Sequence, residues 1–171
     1  MAIEIIVEDG TNVTGANSYN SIDTLRSFAL DRGVILSSTE DTVAVMAIKA
    51  TDYLESKAEQ YKGLPTNEVQ SLAWPRSGVY VYGVEQSSTT IPKQLKIAHA
   101  MLVLAVNEGL SLLPNFSPQD YVIEEAVGSI KTKYADPLSV GIENTFTGVD
   151  AFLEPLMLRG LNSFSIQTIR V

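Results

Sequence analysis

Apolar residues recur at helical spacing in four stretches of the chain and alternate over short runs in several others. The first helical stretch starts at Ser21, a natural N-cap, and runs to about Arg32. It carries Ile22, Leu25, Phe28 and Ala29 on one face, and Gly33 stands where a left-handed C-terminal cap is wanted. The second opens near Ser38 with Glu40 and Asp41 in its first turn, favourable against the helix dipole. Val43, Ala47, Ala50, Leu54 and Tyr61 form its stripe, widened by Met46 and Tyr53. Asp52, Glu55 and Glu59 are assigned to its wet side, and Gly63 and Pro65 end it. The third begins at Pro92 and continues through Leu95, Ala98, Leu102 and Ala105 to Gly109, with Ile97, Met101 and Leu104 as a second stripe. A helix apolar around most of its circumference is buried against several neighbours, so this is the expected central helix. A fourth runs from about Val149 to Leu158, with Phe152, Leu153, Leu156 and Met157 inward and Gly160 beyond its end.

Between the helices the period shortens. Ile3 to Val7 reads as a first strand before the Asp9-Gly10 turn and a loop to Asn20. Leu64 to Thr90 is a long connection holding Trp74-Pro75-Arg76-Ser77-Gly78 and then Val79-Tyr80-Val81-Tyr82, a strand or a β-like loop. Tyr121 to Tyr134, broken by Gly128, reads as two short strands or one bent strand. The closing Phe164, Ile166, Ile169 and Val171 alternate with polar residues as an extended tail or edge strand does. The predicted class is mainly α: a small bundle of about four helices with β-strand or hairpin decorations and an extended C-terminal tail. Residues 1–171 are expected to form one domain, with 160–171 as a docking tail.

Composition narrows the chemistry. The 171 residues are 45% hydrophobic and 19% charged, which suits a folded domain with a real core. The longest apolar run, Ala100–Val106, is far too short to cross a bilayer, and the start MAIEIIVEDG lacks the pattern of a secretory signal, so no membrane partner is expected. Without cysteine and with one histidine, His99, thiolate chemistry and metal sites built on several imidazoles are excluded. A net charge of −8, with 12 Lys and Arg against 20 Asp and Glu, disfavours tight phosphate binding by the chain as a whole. The least acidic stretch is 61–100.

Candidate chemistry is sparse. His99 is the one neutral-pH base, but no nucleophile and orienting carboxylate stand in a recognisable arrangement with it. Its expected place is a hydrogen-bonded position at a core edge or subunit contact. Glu124 and Glu125, with Asp120 upstream, would point to opposite faces of a strand and not converge on a cation. Neither a phosphate loop nor a dinucleotide fingerprint is present. No catalytic, cofactor-binding or metal-binding residue is therefore predicted, and the chain is not expected to be an enzyme. Trp74, Arg76, Tyr80 and Tyr82 could stack bases, or Trp74 could pack the loop while Arg76 makes a cap or ion pair. The second use is favoured, making Trp74, Pro75 and Arg76 a structural anchor.

Five phrases occur in order: Ala16-Asn17-Ser18-Tyr19, Ala50-Thr51-Asp52-Tyr53-Leu54, Leu72-Ala73-Trp74-Pro75-Arg76-Ser77-Gly78, Ile91-Pro92 before an Ala-rich helix, and Gly128 to Tyr134-Ala135-Asp136. Together they resemble the head–tail connector (adaptor) proteins of tailed phages, also grouped as a DnaT-like single-strand DNA-binding family. The resemblance spans residues 8–158, and the Trp-Pro-Arg block is its most specific part. It implies a virion protein of the neck, made in the host cytoplasm, that forms a ring of twelve copies below the portal protein. Such a ring extends the DNA channel, passes genomic DNA without specific binding, and meets a stopper or tail-completion protein. An acidic lumen suits sliding DNA. Phe164, Ile166, Ile169, Arg170 and Val171 are the expected contacts with the portal or a neighbouring subunit, since an unpaired strand gains hydrogen bonds by joining another sheet. Pairing of the tail within its own domain is the other arrangement open to it. The alternative function is a single-strand DNA-binding module of phage replication.

Overall fold

The computed structural model describes residues 2–113, 124–127, 130–133 and 146–158. Its helices are α1 (Ile22–Leu30), α2 (Glu40–Glu55), α3 (Lys93–Asn107) and α4 (Thr147–Leu153). Among the described residues three antiparallel two-stranded sheets decorate them: β1 (Leu64–Pro65) with β2 (Arg76–Ser77), β3 (Tyr80–Val81) with β4 (Val84–Glu85), and β5 (Glu124–Val127) with β6 (Ile130–Lys133). The class is the expected one, mainly helical with hairpin decorations. The expected tail at 160–171 lies outside the described residues.

Helix α3 is the centre, packing against α1, α2 and α4. Its fully apolar stripe explains this: Leu95, Ala98, Leu102 and Val103 are sealed from water, and Met101 and Leu104 are half-buried against neighbours. Pro92, predicted as its first residue, is its N-cap, so the helix starts one position later, at Lys93. The facing stripe of α2 is Val43, Ala47, Ala50 and Leu54, all fully buried. The many alanines at this contact let the two backbones approach closely. Helix α1 begins as predicted, with Ser21 Oγ accepting from the Thr24 amide. Its tethering to the loop that leads into α2 is not legible from sequence: Arg26 Nη2 donates to the Ser37 and Ser38 carbonyls at 3.2 and 2.9 Å.

Several boundaries move. Residues 3–7 make no regular strand; Val7 forms a parallel bridge with Ser18. The Asn17 side chain extends the backbone bonds from Asn17 N to Ile6 O and from Glu8 N to Ser18 O, accepting from Ile6 N and donating to Glu4 O, both at 2.9 Å. Helix α2 starts after Thr39, not Ser38, and ends at Glu55, not Tyr61; a 3-10 turn, Ala58–Gln60, follows. Tyr61 still reaches the core, and its hydroxyl donates back to Leu54 O at 3.0 Å. Helix α4 begins at Thr147 and passes at Glu154 into a 3-10 turn, Glu154–Leu156, because Pro155 lacks the amide a longer helix requires. Val149, Leu153 and Leu156 face the core, whereas Phe152, predicted inward, is 38% exposed. The strands expected within Tyr121–Tyr134 form a hairpin with register Glu124↔Lys133 to Val127↔Ile130. Val79 to Tyr82 resolves into β3 and the turn that leads to β4.

Two glycines are required by geometry. A Cβ on Gly63 would sit 2.2 Å from Ser77 O, where β1 meets β2, and one on Gly10 would sit 2.3 Å from Thr89 O. Both also have positive φ.

Candidate interaction site

The Trp-Pro-Arg block lies inside the protein. Trp74 is 1% exposed and meets Tyr61 edge to face, 5.6 Å between ring centroids. The Trp74–Pro75 peptide is cis. Arg76, 7% exposed, spreads its guanidinium over backbone carbonyls: Nε to Lys62 O at 2.8 Å, Nη2 to Gly63 O at 2.9 Å and Tyr61 O at 3.4 Å, and Nη1 to Ala73 O at 3.3 Å. The planar fork of arginine meets several acceptors at once, which a lysine cannot do. These bonds satisfy the carbonyls of the turn after α2 and fix the β1–β2 crossing. With four of its five N–H groups so engaged and the residue 7% exposed, the side chain has little left to offer a phosphate.

A second buried network explains the phrases around Tyr19 and Thr51. The Tyr19 hydroxyl donates to Glu55 Oε1 at 2.5 Å and accepts from Trp74 N at 3.3 Å, while Glu55 Oε2 accepts from Ala73 N at 2.7 Å. Glu55, assigned from periodicity to the wet side, is thus turned inward: it ends α2 and reaches across to the loop. Burial raises its pKa, offset by the Tyr19 and Ala73 hydrogen bonds. Burial and the adjacent Glu55 carboxylate raise that of Tyr19. Asp52 and Glu59 are exposed as expected.

His99 is fully buried. Asn20 Nδ2 lies 3.0 Å from its Nδ1, and Ala47 O lies 3.0 Å from its Nε2, with Thr51 Oγ1 at 3.1 Å. The amide can only donate and the carbonyl only accept, so the ring is the neutral tautomer protonated at Nε2. Burial pushes its pKa down to about 4, opposed by the Ala47 carbonyl. The histidine ties the N-terminal loop, α2 and α3 together; Asn20 also donates to Lys96 O at 2.8 Å. No group of three or more His, Asp or Glu side chains able to hold a metal occurs among the described residues, and none of their helices is long and apolar enough to cross a membrane.

The exposed counterpart is the β3–β4 hairpin. Tyr82 is 84% exposed at its tip, with Tyr80 and Val84 also open to solvent, while Val81 alone faces the core. Tyr82 sits at φ 51°, beside Gly83 at φ 80°. Left-handed backbone suits Asn, Asp or Gly in a two-residue hairpin turn, so a tyrosine there is held against its preference. Strain of this kind gathers where a side chain is presented to something. Sequence groups Tyr80 and Tyr82 with Trp74 as candidate stacking residues; the structure separates them. The other predicted contact residues, Phe164, Ile166, Ile169, Arg170 and Val171, lie outside the described residues.

Among the described residues the architecture is a helical bundle whose buried polar groups hold loops, the Trp74 indole N–H excepted, since it is buried without a hydrogen-bond partner, and apolar side chains are displayed on hairpin and loop tips. The chain belongs to the family described as "Putative DnaT-like ssDNA binding protein", whose model matches residues 3–171. No curated protein and no solved structure gives a significant match.

Proposed function

We propose that the chain is a structural subunit of a tailed-phage particle, a head–tail connector (adaptor) that binds beneath the portal and links head to tail. Copies of it form a ring of twelve around the DNA channel, and the far side of the ring receives a stopper or tail-completion protein. Its role is architectural, with no bond-making step. The observation that carries this reading is the engagement of Trp74 and Arg76. The most specific block of the connector resemblance is spent on shape, where a nucleic-acid binder would present such residues to a strand. The net charge of −8 points the same way, because an acidic conduit lets DNA slide while a cationic one holds it. Ile35, Val69 and Tyr82, each 84% exposed, and Leu64 at 72% give it apolar points for neighbours to cover.

Electron micrographs of particles made without this protein test the proposal. Filled heads that lack tails and leak DNA are expected; normal particles, or intact virions without the protein, would contradict it. The family description and the open rings of Tyr80 and Tyr82 favour a second reading, single-strand DNA binding. That reading now has to run through the hairpin, not through Trp74 and Arg76.

A further inference from the structure

Two exposed patches of this chain carry matching chemistry. One is the tip between α1 and α2, where Leu30 and Ile35 stand in solvent with Arg32 open beside them. The tip is preformed. Gly33 at φ 72° turns the chain, and the Gly33 and Val34 amides donate back to Leu30 O and Ala29 O at 2.9 and 3.0 Å. The Arg32 guanidinium stacks 3.4 Å from the centroid of the Phe28 ring and donates to Phe28 O at 3.0 Å. A long side chain held in this way has less rotamer freedom to lose on contact. The other patch is a recess of about 350 Å³ beside the β3–β4 hairpin, lined by Lys62, Tyr80, Tyr82, Ala151, Glu154 and Pro155. Tyr80, Tyr82 and Glu154 are exposed around it, and the Lys62 ammonium donates to Pro155 O at 2.8 Å. Tyrosine faces beside a carboxylate suit a guanidinium. The charges match as well, Arg32 and exposed Asp31 on the tip against Glu154 and Lys62 in the recess.

The two patches lie at opposite ends of α2. The tip leads into its N-terminus, where Arg26 holds the Ser37 and Ser38 carbonyls. The recess lies beyond its C-terminus: the Tyr61 hydroxyl donates back to Leu54 O, and Lys62 N donates to Leu156 O at 2.9 Å. The 16 residues of α2, at about 1.5 Å each, keep the patches about 24 Å apart. One chain cannot bring them together; two copies can. Identical subunits joined through two different patches make a heterologous contact, the kind that closes into a ring when the rotation fits.

We propose that the α1–α2 tip of one copy seats in the β3–β4 recess of the next, with Leu30 and Ile35 against the tyrosine rings and Arg32 beside Glu154. The contact deepens the ring reading and rests on it, but its test needs no portal. The chain has no cysteine, and Ser38 and Val84 are exposed beside the two patches. Full-length Ser38→Cys and Val84→Cys chains, mixed at high concentration with a short bismaleimide, should give a mixed dimer in clear excess over both self-linked dimers. Arg32→Glu in the Ser38→Cys chain should cut that product about tenfold, because like charges then meet. Adding Glu154→Arg to the Val84→Cys chain should restore it. Thermal melts of each variant separate a lost contact from a lost fold. Self-linked dimers as abundant as the mixed one, no mixed product at all, or a charge swap without effect would overturn the proposal. Tailless particles made without the protein, together with no mixed product, would sink this contact and leave the connector reading standing. Normal particles together with a charge-dependent mixed product would sink the connector reading and leave the contact.

Discussion

Trp74 and Tyr82 belong to the same connection between α2 and α3, and they are treated in opposite ways. Trp74 is sealed against Tyr61, and the backbone around it is held by Arg76, Tyr19 and Glu55. Tyr82 stands out in solvent on a left-handed residue and, by exposure, contributes little to the core. The difference follows from what surrounds each ring. Trp74 lies where the end of α2, the N-terminal loop and β2 converge, so removing it would leave a void. Tyr82 lies at the tip of a two-stranded hairpin that one face of Val81 anchors. The first aromatic is architecture; the second is available for contact.

Substitutions should widen or close that contrast. Trp74→Ala has the largest expected cost, about 4 kcal/mol, from lost burial and the cavity left behind; denaturant unfolding measures it. Next comes acid. His99 is held neutral at about 4 against its ordinary 6.5, a gap equivalent to about 3 kcal/mol. The unfolded ring takes up a proton from pH 6.5 downward while the buried one does not. Stability from this group is therefore present above pH 6.5 and lost as pH falls towards 4. Glu55 runs the other way, since its carboxyl binds a proton more readily in the fold. The comparison of unfolding between pH 7 and pH 4 for wild type and His99→Gln isolates the histidine: the variant should show the shallower fall.

Arg76→Ala follows at about 2–3 kcal/mol, since it strands buried carbonyls, and Arg76→Lys should recover little of it. Glu55→Gln is smaller, about 1 kcal/mol, because an amide keeps one of the two acceptor contacts made to Tyr19 and Ala73. Tyr82→Gly should leave melting unchanged or raise it by up to about 1 kcal/mol equivalent, by relieving the positive φ. A loss of stability there comparable to that of Trp74→Ala would erase the distinction between the two rings.

Much of the helical frame is legible because burial follows period: Leu25 and Ala29, Val43, Ala47, Ala50 and Leu54, and Leu95, Ala98 and Leu102 all lie where spacing puts them, while Val103 is buried without being on either predicted stripe. What was not legible depends on contacts between distant residues. Glu55 looks solvated on a helical wheel, yet Tyr19 and the Ala73 amide draw it inward. Asn17 completes a strand-like pairing through its side chain, a role that no periodicity encodes. Phe152 lies within α4 beside the buried face that Val149, Leu153 and Leu156 form, and its ring is left partly in water. The candidate site divides the same way. A Trp-Pro-Arg block can be recognised from sequence, but only geometry tells that its cation is used up on carbonyls while the tyrosines after it are not.

The sharpest measurement is a titration of labelled oligo(dT) with the purified full chain at low and at moderate salt. If the Trp-Arg block is architecture and the chain a docking subunit, the oligonucleotide remains unbound at both, for wild type and for Tyr80→Ala/Tyr82→Ala alike. Tight binding that weakens steeply with salt and disappears in the double variant would contradict the account and make the hairpin a base-stacking platform.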